Sequence, residues 1–297
     1  MYKEIAIIAP TASGKTDVSI SLAHKLNAVI LSLDSLAVYK QIDIASAKPS
    51  LRDRDGIVHF GIDNIYPNEQ FDVIEFIAEY NNAKEYAIDN GKNLIIVGGT
   101  GFYLKAMCDG LSVVPIISDE TSIKVEKELF DLSASYDFLN SIDPLYMKKI
   151  SYNDKYRIQK ALEIYVQTDL TPSEFFKQNK PKPIIQNLDI FEIVTEVDIL
   201  RERIKLRTNQ MLNNGIIDEV IYLEKKYTRQ PNCMTSIGIS ETLRYLDGKI
   251  DKKALEEEIF VHTAQLAKRQ RTFNKSQFIN KKQESLKSLE KKILSMV

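Results

Sequence analysis

A chain of 297 residues that is 44% hydrophobic can build one large domain or two ordinary ones, and its 40 basic and 41 acidic side chains leave a net charge of −1. That balance excludes a global field of the kind carried by strongly basic nucleic-acid binders, so any polyanion-binding surface must be local. Cys108 and Cys233 stand far apart without metal-ligand spacing, and neither a signal peptide nor an apolar run near the ~18 residues of a membrane span is seen, so a protein of the reducing cytoplasm with no membrane partner is expected.

The first predicted element is a strand at Ile5 to Ile8. It runs into Ala9, Pro10, Thr11, Ala12, Ser13, Gly14, Lys15 and Thr16, and a helix is predicted from Asp17 to Leu26. Strand, small-residue turn with Gly-Lys-Thr, and helix together form a phosphate cradle. Backbone N–H groups and the helix N-terminus face the anion, Lys15 adds charge, and Thr16 offers a hydroxyl to Mg²⁺. Ala9 occupies the first glycine of the strict pattern; a residue before proline is held extended, where alanine is as comfortable as glycine.

A strand at Ala28 to Leu33, a helix at Val73 to Asn90 and a strand at Asn93 to Val97 continue the alternation. Short apolar runs between amphipathic helices predict an α/β fold: a P-loop NTPase-like parallel sheet with right-handed crossovers and functional groups gathered at the strand C-termini. From about Ser118 to Lys177 the chain is polar and helix-prone, ending in Lys180-Pro181-Lys182-Pro183. A strand at Leu188 to Val194 and charged helical patterns over Leu200 to Lys226 and Lys252 to Asn274 follow. The expected organisation is a core of residues 1–117 and 184–297 with an α-helical insertion domain at 118–183. From His262 onward seven Lys and two Arg face only Glu284 and Glu290, which reads either as a solvated helical tail or as a local phosphate-binding surface.

The strand ends carry Asp34, Ser35, Leu36, Ala37 with Tyr39, the run Asp43 to Pro49, and Gly98-Gly99-Thr100-Gly101. With the phosphate loop, their order resembles the tRNA dimethylallyltransferases. Asn153-Asp154 with Arg157, the Arg203–Arg207 helix with Met211, Gly215 and Glu219, Ile237-Gly238 with Glu241, and Lys268-Arg269-Gln270 with Phe273 extend the likeness from about Ile5 to Phe273. The family pattern differs at Ser122, Lys160 and Ala264, where it has Arg, at Thr168-Asp169, where it has Gly-Lys, at Ile239, where it has Tyr, and at Phe273, where it has Trp.

The resemblance implies transfer of an isoprenoid from dimethylallyl diphosphate to the exocyclic amine of the adenosine 3′ of the anticodon in tRNA, by a monomeric, Mg²⁺-dependent enzyme. Residues 9–16 would cradle the diphosphate, with Thr16 toward the metal and Arg207 as a further cation on the leaving pyrophosphate. Asp34 would act as general base, and Thr100 would hydrogen-bond Asp34, the base or the diphosphate. The adenosine must be flipped into a channel. Asp34, Ser35, Leu36, Ala37 and Thr100 would meet it there, while Tyr156, Arg157, Ile158, Gln159 and Lys160 and the segment Lys268, Arg269, Gln270 would hold the RNA. From the residues alone, Asp34 also reads as a Mg²⁺ ligand or a helix N-cap, Gly98-Gly99 as a tight turn, and Arg207 as a surface arginine. His59, His24 and His262 are given no catalytic role. An ATP-dependent kinase, an AMP-dependent dimethylallyltransferase and a non-enzymatic RNA-binding module are the alternatives.

Overall fold

In the computed structural model residues 2–112 and 114–296 are described, leaving the two ends of the predicted core outside. In chain order these residues form β1 (Glu4–Ile8), α1 (Lys15–Lys25), β2 (Ala28–Leu33), β3 (His59–Phe60), α2 (Val73–Asp89), β4 (Asn93–Gly98) and α3 (Gly101–Asp109). Then come α4 (Asp119–Glu128), α5 (Leu132–Ile142), α6 (Pro144–Met147), α7 (Lys155–Thr168) and α8 (Pro172–Gln178). The remaining elements are β5 (Asp189–Val194), α9 (Val197–Asn213), α10 (Ile216–Tyr227), α11 (Ile239–Leu246), α12 (Lys252–Gln277), β6 (Lys282–Ser285) and α13 (Leu286–Leu294).

All six strands are parallel, in the order β3-β2-β4-β1-β5-β6. The apolar runs read as strands are the central ones, buried on both faces as parallel sheets require. Ile5, Ile7, Ile30, Ile95, Val97 and Phe191 form one face with Ile20, Leu22 and Ala23 of α1. Their sequence neighbours Ala6, Ile8, Leu94 and Ile96 are equally buried and point the other way. On β2 and β4 also packs α2, which is started by a capping box in which Asp72 and Glu75 satisfy each other's backbone N–H groups.

The Lys/Glu-rich end is not a solvated tail. Lys282–Ser285 adds the sixth strand, pairing with Phe191–Val194, and the Lys282 ammonium meets Asp189 at 2.6 Å. The helix after it buries Leu289 and Ile293 in the same cluster as β1 and α1, while Glu290 bridges to Lys25 at 2.6 Å and accepts from Ser21. Leu289→Ala should therefore cost about 2–5 kcal/mol in denaturant unfolding, whereas the exposed Lys287→Ala should stay within about 0.5 kcal/mol. A solvated tail would show no difference between them.

The chain divides into two compact units, Met1–Cys108 with Ile185–Val297, and Asp109–Ile184. The second unit has a core of its own, built from Val125, Leu129, Leu139, Met147, Ile150, Ile158, Ala161 and Leu162. Within it Asp143 is buried and satisfied by Tyr146 N, Ser173 N and Ser173 Oγ, which ties α6 to α8.

Candidate active site

The loop between β1 and α1 is shaped by its small residues. Ala9 is fully buried in the sheet core, donates its N–H to Gly98 O and keeps a negative φ, so its methyl group packs where the strict pattern has none and bends nothing. Ala12 and Gly14 adopt positive φ (62° and 85°); at Gly14 the conformation favours glycine, and a Cβ there would stand 2.9 Å from the movable end of the Leu286 side chain of the C-terminal helix. The buried Ser13 hydroxyl has no hydrogen-bond partner among the described residues, which suits an acceptor brought by a ligand.

Two arginines one turn apart on α9 reach this loop. Arg203 donates to Ser13 O at 2.9 Å, and Arg207 donates to Thr11 Oγ1 and to Ser46 O, each at 3.2 Å. Arg207 is thus a half-buried cation held by two long hydrogen bonds at the site, not a freely solvated surface residue. Burial pulls its pKa down, partly offset by the charge of Asp34. Lys15 is depressed to about 8, first by desolvation and then by the neighbouring Arg207, against the pull of Asp34. Two cations thus share the influence of one carboxylate, and the loop is short of negative charge. A bound diphosphate would supply it and hold Lys15 protonated. Affinity for inorganic pyrophosphate should therefore be independent of this group below pH 8 and fall as pH rises through about 8, where free Lys15 loses its proton. Calorimetric titration of the wild type against Lys15→Arg, whose side chain does not titrate there, isolates that slope.

At the end of β2, Asp34 Oδ1 accepts from Leu36 N at 2.9 Å and from Ala37 N at 3.2 Å. These bonds brace a turn, since residues 35–38 form no helix and the N-cap reading does not apply, and they occupy one oxygen; every hydrogen bond described for the carboxylate falls on Oδ1, and Oδ2 remains for a ligand. At the end of β4 a Cβ on Gly98 would lie 2.3 Å from the backbone Leu33 O, so close approach requires glycine there, whereas one on Gly99 would lie 2.4 Å from Gln270 Nε2 and displace that side chain. Thr100 follows, its N–H donating to Leu33 O.

These strand ends, the phosphate loop, α9 and α12 enclose a cavity of about 380 Å³ lined by Thr11, Lys15, Asp34, Thr100, Arg207 and Gln270 among others, with Ser35 at its wall. Leu36, Ile204, Met211, Ile237, Ile259 and Leu266 give it an apolar side. Ala37 is buried and borders instead a smaller recess of about 70 Å³ with Thr16, Ser19, Ser32, Lys48 and His59. His59 donates Nδ1–H to, or faces, Ile57 O at 2.9 Å, and burial lowers its pKa, so it stays neutral at pH 7.

The residues marked for RNA divide by exposure. Tyr156 and Arg157 at the start of α7 are exposed, Arg157 pairing with Asp154 at 2.8 Å, and Lys160 pairs with Glu163 at 2.7 Å while standing over the Tyr156 ring. Gln159 donates to the same Glu163. Ile158 is fully buried in the core of its unit and presents nothing to a partner, a correction that the i, i+3, i+4 spacing of Ile158, Ala161 and Leu162 explains. Lys268 and Arg269 are exposed, but Gln270 turns inward and accepts from Thr11 N at 2.8 Å, joining α12 to the phosphate loop. Of the positions that depart from the expected pattern, Ile239 is buried beside Val38 and Leu243, and Ala264 packs against the apolar seam of Leu200, Ile204 and Ala267.

Three functional-site neighbours carried no role in the sequence reading. Arg203 was detectable from its four-residue spacing to Arg207, which puts both on one helix face. Glu241 is buried, accepts from Gly238 N in the local cap of α11 and faces His262 Nδ1 at 2.5 Å, and Glu219 accepts from three backbone amides of the 43–45 segment; the contacts to His262 and to 43–45 are distant in sequence.

A family model described as IPP transferase matches residues 37–277. The chain is 57% identical over 292 residues to the tRNA dimethylallyltransferase of Aliarcobacter butzleri, covering 98% of each, and 54% identical to that of Sulfurimonas denitrificans, again covering 98% of each. Among solved structures it resembles the full-length tRNA isopentenylpyrophosphate transferase from Bacillus halodurans, with a TM-score of 0.74, 28% identity and coverage of 100% of this chain and 95% of that one. A eukaryotic dimethylallyltransferase described as acting on tRNA gives a TM-score of 0.79 at 27% identity, covering 98% of this chain and 72% of that one.

Proposed function

This chain belongs to the IPP transferase family, and from that premise we propose that it is a tRNA dimethylallyltransferase which moves a dimethylallyl group from dimethylallyl diphosphate to the exocyclic amine of the adenosine 3′ of the anticodon. The observation that carries the reading is the shared cavity in which Asp34 and Thr100 face Lys15 and Arg207. A base acceptor and a diphosphate grip stand within one space, as a reaction that breaks an allylic C–O bond while joining carbon to nitrogen requires.

Residues 9–16 and Arg207 take the diphosphate. As the C1–O bond breaks, its electron pair goes to pyrophosphate, and Lys15, Arg207 and the loop amides meet that growing charge with donors already in place. The amine lone pair forms the bond to C1, and Asp34 Oδ2 accepts the proton that the nitrogen sheds. The apolar side of the cavity suits both a five-carbon chain and the face of a purine. For Mg²⁺, the oxygens of Thr16, Ser19 and Ser32 around the smaller recess are hard donors of the right chemistry. Thr16, with diphosphate oxygens and water, would hold the ion, which when bound supplies further neutralisation of the leaving group.

An adenosine enters such a cavity only when flipped from its stack, and exposed Tyr156, Arg157, Lys268 and Arg269 are the proposed contacts to the RNA around it. One chain contributes both the cations and Asp34, so a monomer suffices. No helix among the described residues is long and apolar enough to cross a membrane, and the cytoplasm, where tRNA matures, is the proposed place of action. The test is incubation with dimethylallyl diphosphate, Mg²⁺ and either unmodified tRNA or AMP. Prenylated tRNA and released pyrophosphate are expected; product with AMP alone, or ADP release from ATP with a small acceptor, would overturn the assignment.

A further inference from the structure

Arg207 owes its place to a carbonyl, and that carbonyl belongs to a segment with no regular secondary structure. Between β2 and β3 the chain runs along the cavity, with Ala45 and Ser46 lining it and Ser46, Ala47 and Lys48 lining the smaller recess. Three consecutive amides of this strap, of Asp43, Ile44 and Ala45, all donate to one carboxylate: Glu219 Oε2 takes the first two at 2.8 and 2.7 Å, and Oε1 the third at 2.9 Å. The next residue, Ser46, is buried, closes the turn with its hydroxyl on Ile42 O, and receives Arg207 Nη2 on its carbonyl. Further along, Lys48 fastens the strap to Asp43, Asp63 and Tyr39 O.

We propose that Glu219, in the first turn of α10, is a positioning residue for the reaction: by gripping the amides of 43–45 it fixes the Ser46 carbonyl that aims Arg207 at the departing diphosphate. The inference rests on the diphosphate reading of the loop. Charge-assisted hydrogen bonds to a carboxylate are about twice as strong as neutral ones, and three on one group leave the peptide planes little freedom. Arg207 itself makes two long hydrogen bonds and, among the described residues, has no carboxylate at ion-pair distance, so the Ser46 carbonyl is one of only two polar anchors described for it. Removing the carboxylate leaves the strap amides to water and lets the Ser46 carbonyl turn, so the guanidinium loses one of its two fixed points.

The experiment measures binding of inorganic pyrophosphate by calorimetry, with steady-state kinetics in dimethylallyl diphosphate and tRNA, for Glu219→Ala, Glu219→Asp and Glu219→Gln. Wild-type protein is measured first: failure to bind pyrophosphate there would sink the diphosphate reading itself and not this inference. Glu219→Ala should weaken pyrophosphate binding and raise KM for dimethylallyl diphosphate by about tenfold, with tRNA affinity within about twofold; Glu219→Asp should recover part of the loss. In an Arg207→Ala background the same change should add less than about twofold, because its effect runs through that arginine. Unchanged pyrophosphate affinity, an equal loss of tRNA binding, or full additivity with Arg207→Ala would each overturn the proposal. Should the alanine variant not fold, Glu219→Gln, which keeps the shape and loses the charge, carries the same readouts.

Discussion

Asp34→Ala should lower kcat by about 10²–10⁴, the usual contribution of a positioned general base, with tRNA affinity changed by less than about threefold. Alanine alone does not separate chemistry from architecture, since Asp34 Oδ1 also holds the amides of Leu36 and Ala37 in the turn that follows β2. Asparagine does. Asp34→Asn keeps an oxygen for both amides and loses basicity, so a base predicts nearly the same collapse of kcat in both variants. A structural residue predicts recovery with asparagine. Single-turnover measurement at saturating tRNA and dimethylallyl diphosphate reads the difference directly.

The central sheet was legible because parallel strands buried on both faces are written as unbroken apolar runs: Ala28–Leu33 and Asn93–Gly98 can be little else. The outer strands were not. Lys282–Ser285 reads Lys-Gln-Glu-Ser, with no alternation to betray it, and becomes a strand through backbone pairing to β5 and the Lys282–Asp189 contact; two-residue β3 is shorter than any pattern. The same division runs through the site. Lys15, Asp34, Thr100 and Arg207 were nameable from motif and order, and the structure brings them to one cavity. What holds them there was hidden, because Gln270 on Thr11, Arg203 on Ser13 and Glu219 on the strap join residues 174 to 259 positions apart. Such contacts exist only after the sheet has stacked its helices, and no local pattern encodes them. Ile158 shows the opposite error: a motif position was taken for a contact when helical periodicity already placed it in the core.

Arg207→Ala should reduce kcat/KM for dimethylallyl diphosphate by about 10²–10³, the cost of removing one preorganised donor from a developing anion, and leave the KM for tRNA nearly untouched. A guanidinium has five N–H donors, and the two described contacts are both 3.2 Å long and both to neutral oxygens. A buried cation is costly unless an anion pairs with it, and Asp34 acts on Arg207 only as a charge nearby, without direct contact. On the proposed reading the missing partner is the diphosphate, and because its negative charge grows as pyrophosphate separates, the guanidinium would stabilise the transition state more than the bound diphosphate. Arg207→Lys discriminates further: an ammonium restores the charge but cannot span Thr11 Oγ1 and Ser46 O with a planar fork, so it should recover binding of inorganic pyrophosphate more than it recovers kcat. Kinetics of the alanine variant unchanged at saturating tRNA would instead make Arg207 a structural tie between α9 and the phosphate loop.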